Sequence, residues 1–242
     1  MVVTVSHRGY IKRVPLDTYR AQRRGGKGKS GMKTRDEDFV NRLFIANTHT
    51  PILFFTSKGI VHQLKCYKLP ETSPTSMGKA MINLLPIQND ENIQTIMPMP
   101  NETEHWDSLS VVFATSSGSV RRNKLSDFTN IRANGKIAMK LGPTDRLIGV
   151  VPCTDESDIV LASNKGKAIR FATKDLRVFN SRDSMGVRGI KLKDNDYVVS
   201  LSVLTNVERE FILAVTEIGF GNRSKSSEYR RTGRGGQGIA YI

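Results

Sequence analysis

Phe54-Phe55-Thr56-Ser57-Lys58-Gly59-Ile60-Val61-His62-Gln63 sets a small hydroxyl residue, two polar residues and a glycine between two apolar runs. A Thr opening a tight turn that closes on glycine fits a type I turn followed by a left-handed residue and a G1 bulge. One such match carries little weight, but the pattern recurs as VTVSHRGYIKR (3–13), FATSSGSVRR (113–122), LASNKGKAIR (161–170) and AVTEIGFGNR (214–223). Its glycines, Gly9, Gly59, Gly118, Gly166 and Gly219, stand about 50 residues apart. Three residues before each is a hydroxyl: Ser6, Thr56, Thr115, Ser163 and Thr216. Four residues after it is Arg13, Arg122, Arg170 or Arg223, with Gln63 the exception.

Further strands surround each hairpin. Short apolar segments precede it at Leu43–Ala46, Ile93–Met97, Leu147–Val151 and Val198–Val203. A second glycine region follows it (Gly25–Gly28, Gly78, Gly135, Gly186/Gly189, Gly235–Gly238) and leads into a last strand at 80–85, 136–141, 187–192 and 237–242. Four strands per repeat predict an all-β array of propeller-like, four-stranded antiparallel blades. The units run roughly 1–35, 36–86, 87–142, 143–193 and 194–242 within a single domain. No window keeps a helical period with caps at both ends. The chain enters just before the first hairpin and stops on the last strand of the fifth unit. The expectation is a piece of a longer array that lacks a blade.

Charge narrows the partners. The 242 residues are 38% apolar and 25% charged, a globular composition, yet 37 Lys and Arg face 23 Asp and Glu, a net charge of +14. That excess favours a polyanion such as nucleic acid or an acidic membrane surface. Residues 1–35 hold ten Lys or Arg and one acid, Asp17, whereas residues 86–110 hold five acids and no Lys or Arg. Cys66 and Cys153 have no metal-ligand spacing and suggest buried thiols in a reducing compartment. Without a membrane-length apolar run or a signal peptide, the expected location is the cytoplasm. His7, His49, His62 and His105 form no ligand cluster, and the run Asp36-Glu37-Asp38 reads as a solvated face rather than a Mg²⁺ site. With Trp106 the only tryptophan, there is no stacking platform for single-stranded bases, so duplex backbone is the better substrate.

Gln22-Arg23-Arg24-Gly25-Gly26-Lys27-Gly28-Lys29-Ser30 is the densest basic segment. Its end resembles a P-loop, but the required first glycine falls on Arg23 and no apolar helical face follows. A flexible tail does not suit a segment inside the first repeat, and a looser relative recurs at RRTGRGGQG (230–238). Basic side chains on a glycine-rich loop suit the DNA backbone. Arg and Lys neutralise phosphates, and glycine lets main-chain N–H groups approach.

QRRGGKG at 22–28 resembles the signature box found in the C-terminal domain of the DNA gyrase A protein. The resemblance extends along the chain through VSHRGYIK (5–12), FVNRLFIANTH (39–49), the YxLP of Tyr67–Pro70, INLLP (82–86) and MGVRGIKL (185–192). It implies a β-pinwheel, a propeller-like disc with a different strand connection and usually six blades, of which about five are present here. It also implies duplex DNA wrapped around a basic rim with positive handedness, so that a holoenzyme using ATP introduces negative supercoils. Partners implied are the N-terminal cleavage core of the gyrase A protein and the gyrase B protein in a heterotetramer, associated with the nucleoid. The isolated domain is expected to be monomeric, without membrane association. No cofactor, metal or catalytic residue is expected in this domain, since ATP and Mg²⁺ serve elsewhere in the holoenzyme. The cleaving Tyr of such enzymes follows an Arg, and none of the six tyrosines here does.

The resemblance assigns Gln22, Arg23, Arg24, Gly25, Gly26, Lys27 and Gly28 to DNA. Repeat position and charge add Arg13, Lys58, Lys65, Arg121, Arg122, Lys165, Arg170, Arg188, Arg223, Arg230 and Arg231 as rim candidates. Two alternatives stay open: the related C-terminal domain of topoisomerase IV, which typically lacks an intact box, and a basic propeller scaffold for acidic proteins. The family's frequent acidic tail is absent from this sequence.

Overall fold

The computed structural model describes the chain except residues 20–23, 27, 29–30, 36, 102, 181–183 and 242, and the side chain of residue 103. All five predicted hairpins are present. In each, the glycine N–H donates to the carbonyl of the opening Ser or Thr at 3.0–3.1 Å. The hydroxyl oxygen of that residue accepts from the N–H just past the glycine, at 3.1–3.3 Å. One side chain therefore bridges both arms of the turn, which explains why a hydroxyl recurs there. The glycines take φ of +70° to +90°, where a Cβ is strained.

In chain order the strands open with β1 (Val2–Ser6), β2 (Tyr10–Val14) and β3 (Val40–Ile45). Next come β4 (Pro51–Thr56), β5 (Ile60–Lys65), β6 (Lys79–Ala80) and β7 (Ile93–Pro98). The middle of the chain forms β8 (Ser110–Thr115), β9 (Ser119–Lys124), β10 (Lys136–Ile137) and β11 (Leu147–Cys153). It continues with β12 (Asp158–Ser163), β13 (Lys167–Ala172), β14 (Val187–Arg188) and β15 (Val198–Leu204). The last repeat supplies β16 (Phe211–Val215), β17 (Gly221–Lys225) and β18 (Ile239–Ala240). Each hairpin runs into a single 3-10 turn: Leu16–Thr18, Cys66–Lys68, Leu125–Phe128, Thr173–Asp175 and Ser226–Glu228. Among the described residues there is no α-helix.

The sheets are ordered β3-β1-β2-β6, β10-β5-β4-β7, β11-β8-β9-β14 and β15-β12-β13-β18, with β16-β17 a two-stranded fifth. This is a propeller of four-stranded antiparallel blades: four full blades and a partial fifth sheet. The four strands of a blade are not consecutive in sequence. The two strands that flank a hairpin join the hairpin before it, so β3 and β6 flank β4-β5 yet pair with β1 and β2. Each repeat thus completes the sheet of its predecessor.

An acid two residues before the outer strand strengthens that link. Asp38 Oδ1 accepts from Arg8 N at 2.9 Å, Asp145 Oδ1 from Ser117 N at 2.9 Å and Asp196 Oδ1 from Lys165 N at 3.1 Å, each in the preceding hairpin's turn. Burial acts to raise the Asp145 carboxyl, but hydrogen bonds from the Ser117 and Ser116 hydroxyls and the Ser117 N–H hold it below the usual range. Glu91 occupies the position in the third repeat. Its longer arm folds back to accept from Gln88 N at 3.1 Å, leaving Oε1 buried without a hydrogen-bond partner among the described residues.

The chain divides into two compact units, one of Met1–Phe54, Val61–Asn101 and Ile131–Lys136, the other of Phe55–Ile60, Glu102–Asn130 and Ile137–Ile242. The first packs Val3, Val5, Ile11, Ile52, Phe54 and Leu69 into one core, with Cys66 fully buried. The second buries Val112, Val120, Ile159, Leu161, Ile169 and Phe171, and sets Phe55, Phe113 and Phe128 ring to ring at 5.6–5.9 Å.

Candidate nucleic-acid interface

Three of the seven box residues, Gln22, Arg23 and Lys27, lie outside the described residues. Arg24, Gly25, Gly26 and Gly28 are exposed. Gly25 and Gly28 take φ of +82° and +69°, with open space where a Cβ would stand. Here the left-handed backbone alone selects glycine.

The fifth repeat carries a counterpart at a constant offset: Tyr229, Arg230, Arg234, Gly235, Gly236 and Gly238 stand where Tyr19, Arg20, Arg24, Gly25, Gly26 and Gly28 do. Gly235 and Gly238 adopt φ of +83° and +70°, nearly the same pair of values. Gly235 N donates to Gly189 O at 2.7 Å, and Arg234 donates to Arg188 O at 3.2 Å and to Asp175 O at 3.3 Å. The loop therefore holds Arg230, Arg231 and Arg234 on the surface beside Arg188, all of them exposed.

Three of the four arginines that recur four positions after a hairpin glycine are placed differently. Arg13 is half-buried: its Nε donates to Leu69 O at 2.9 Å, its Nη2 to Tyr67 O at 3.3 Å, and it pairs with Glu71. Arg122, 6% exposed, pairs with Asp155. Arg170 donates Nε to Asp158 Oδ2 at 2.7 Å and Nη1 to Ser226 O and Tyr229 O at 3.2 and 2.9 Å. Arg231 closes on the other oxygen of that buried Asp158 at 2.7 Å, an ion pair without hydrogen-bond alignment. For these three arginines the recurrence reflects a latch that ties a hairpin to protein oxygens of later segments. A motif search sees the spacing but not the direction in which the guanidinium points.

Arg121 is fully buried, donating to Asn123 Oδ1 and Ser184 O at 2.8 Å each and to Ala138 O, with its guanidinium 5.3 Å from the Phe113 ring centre. Lys12 occupies the same repeat position in the first hairpin and is also fully buried. Its Nζ donates to Ser76 O at 2.8 Å, Ser73 O at 3.2 Å and Pro74 O, and burial lowers its pKa. Lys58, Lys65, Lys165 and Arg223 are exposed, the last lying 4.1 Å over the Phe211 ring. The candidates at the surface are therefore Arg24, Lys58, Lys65, Lys165, Arg188, Arg223, Arg230 and Arg231.

Among the described residues no group of three or more His, Cys, Asp or Glu could hold a metal ion, and no helix is long and apolar enough to cross a membrane. Both thiols are free and buried, and burial pushes Cys153 up to about 11.

A family profile described as the DNA gyrase C-terminal domain, beta-propeller, matches residues 1–47, 50–98, 110–154, 157–205 and 210–242, one segment per hairpin. The chain is 44% identical over 285 aligned residues to the A subunit of DNA gyrase from Rickettsia bellii (strain RML369-C), covering 99% of this chain and 32% of that protein. It is 45% identical over 239 residues to the A subunit of DNA gyrase from Staphylococcus epidermidis (strain ATCC 12228 / FDA PCI 1200), covering 99% of this chain and 26% of that protein. The chain spans about a third or less of the length of these curated relatives. Among solved structures it is similar to the C-terminal domain of DNA topoisomerase IV (TM-score 0.84, 26% identity), covering 99% of this chain and 71% of the other. It is also similar to a DNA gyrase A C-terminal domain (TM-score 0.72, 27% identity), covering 98% and 75%.

Proposed function

The chain belongs to the DNA gyrase C-terminal domain family, and we propose on that premise that it binds the backbone of duplex DNA without reading sequence and wraps it with positive handedness. The observation that carries this reading is the pair of glycine-rich basic segments, 19–28 and 229–238, which share left-handed glycines at Gly25 and Gly235 and at Gly28 and Gly238, and in which Arg24, Arg230, Arg231 and Arg234 are exposed. Guanidinium and main-chain N–H groups on such loops meet phosphate oxygens, which position a duplex without distinguishing bases. Lys58, Lys65, Lys165, Arg188 and Arg223 extend the contact surface, while Arg13, Arg121, Arg122 and Arg170 hold the blades. The net charge of +14 steers the polyanion toward the protein.

In a complete gyrase, the wrap presents a crossing of fixed sign to the cleavage core of the same polypeptide, and the gyrase B protein completes a cytoplasmic, nucleoid-associated heterotetramer. Strand cleavage, ATP and Mg²⁺ belong to those other parts, and this domain contributes the path of the DNA. The test is to ligate a nicked plasmid in the presence of the chain, remove the protein and read the linking number. A positive shift that grows with protein concentration is the expected result. Tight binding with no shift would leave a DNA-contact surface and remove the chiral wrap.

A further inference from the structure

The second compact unit holds a cleft of about 480 Å³ lined by Lys165, Lys191, Leu192, Lys193, Asp194 and Gln237. A smaller cavity of about 60 Å³ adjoins it, shares Lys191, Lys193 and Gln237, and is reached by Lys167. Lys165 stands in the turn between β12 and β13, and Lys191 and Lys193 follow β14. Gln237 belongs to the glycine-rich loop of the fifth repeat.

The backbone around the cleft is pinned. Lys191 N donates to Gly236 O at 2.8 Å, Asp196 N to Lys193 O at 3.2 Å and Lys165 N to Asp196 Oδ1 at 3.1 Å. Lys165, Lys167, Lys191 and Lys193 line the cleft and its adjoining cavity against two acids, Asp194 and Asp196. Asp196 is engaged by Ser163 Oγ at 2.8 Å and by the N–H groups of Lys165 and Tyr197. Asp194 is the one other acid in the lining, and its carbonyl accepts from Lys165 Nζ at 2.8 Å.

The cluster is peculiar to one place in the array. One repeat earlier, the positions of Lys165, Lys191 and Lys193 hold Ser117, Lys140 and Gly142, and one repeat before that they hold Lys58, Asn83 and Leu85. A general excess of surface charge would be spread over the repeats. Three lysines and a glutamine lining one concave site bring the donor types that suit a phosphate oxyanion, which accepts several charge-assisted hydrogen bonds at once.

The geometry points to this cleft as a phosphate-binding site, filled either by a DNA backbone phosphate or by a free polyphosphate. The DNA source rests on the duplex-binding reading above; the polyphosphate source does not. The experiment compares the 242-residue chain with its Lys191→Gln/Lys193→Gln variant, and with a Lys124→Gln/Lys174→Gln variant that removes the same charge at exposed positions away from the cleft. Tripolyphosphate is titrated calorimetrically, and affinity for a short duplex is measured across a salt series. Loss of at least tenfold in tripolyphosphate affinity in the cleft variant alone supports the site. A duplex salt slope smaller by about 2 in that variant identifies backbone phosphate as the occupant. An unchanged slope with tripolyphosphate binding lost identifies a free ligand. The site is overturned if the cleft variant matches the native chain in both titrations, or if the control variant loses as much. Failure of the native chain to bind duplex at all would sink the wrapping proposal, while the tripolyphosphate titration would still judge the cleft.

Discussion

Arg170→Met separates the two roles that a recurring arginine could play. The Arg170 side chain is 11% exposed and that of its partner Asp158 4%. The substitution removes the 2.7 Å ion pair and the donors to Ser226 O and Tyr229 O. Among the described residues Asp158 then keeps only the ion pair with Arg231, itself 46% exposed. Breaking a buried pair from one side typically costs about 3–5 kcal/mol, because the remaining charge stays desolvated. The residual contact with Arg231 points to the lower end, about 3 kcal/mol, or roughly 10 °C in melting temperature for a chain of this size. Urea denaturation gives the stability, and binding of a short duplex across a salt series gives the number of phosphates neutralised. The expected outcome is a large stability loss with an unchanged salt slope below the unfolding transition. Adding Asp158→Asn should recover about 1 kcal/mol or more by removing the stranded carboxylate. A stability loss under about 1 kcal/mol, with a salt slope smaller by about 0.9, would refute the latch and make Arg170 a phosphate contact.

Other variants probe the loops, the turns and the thiols. Arg24→Gln, Arg230→Gln and Arg234→Gln are each expected to leave stability within about 0.5 kcal/mol. Each should lower the salt slope of duplex binding by about 0.9, so the native chain's advantage over the triple variant should be roughly 40-fold larger at about 50 mM salt than at about 200 mM. Gly118→Ala forces φ of +85° on a residue whose Cβ would stand 2.8 Å from Ile190 Cγ2 and 2.9 Å from Ile190 O. A loss of about 2–4 kcal/mol by chemical denaturation is expected, from left-handed strain plus overpacking. Asp145 has a carboxyl depressed in the folded state, so its contribution is present above the unfolded value and is lost as pH falls through the folded one. Stability measured from about pH 6 down to pH 2 should therefore fall less steeply in Asp145→Asn than in the native chain. Cys153, raised to about 11 by burial, should resist a thiol-specific reagent at about pH 8 in the native state and react on unfolding.

The sequence by itself determined the turns, because each is a local object. The hydroxyl, the glycine and the bond between them lie within five residues, so Ser6, Thr56, Thr115, Ser163 and Thr216 announced five hairpins without any tertiary information. The same locality made the glycine-rich basic loops readable, since left-handed glycines and exposed arginines need no partner to be recognised. Three decisions belonged to the tertiary structure. Strand pairing joins segments tens of residues apart, so nothing local told that β3 and β6 complete the sheet of β1-β2 rather than that of β4-β5. The acids Asp38, Asp145 and Asp196 stand at a repeat spacing legible in the sequence, yet their meaning depends on which turn the pairing brings to them. Burial, finally, sorted the cations. Arg121 and Arg122 are equal in charge to the exposed Arg24 and Arg230, but the first two face carbonyls and an acid inside the fold. A guanidinium serves a protein oxygen and a phosphate oxygen by the same hydrogen bonds, and only the folded chain settles which one it meets.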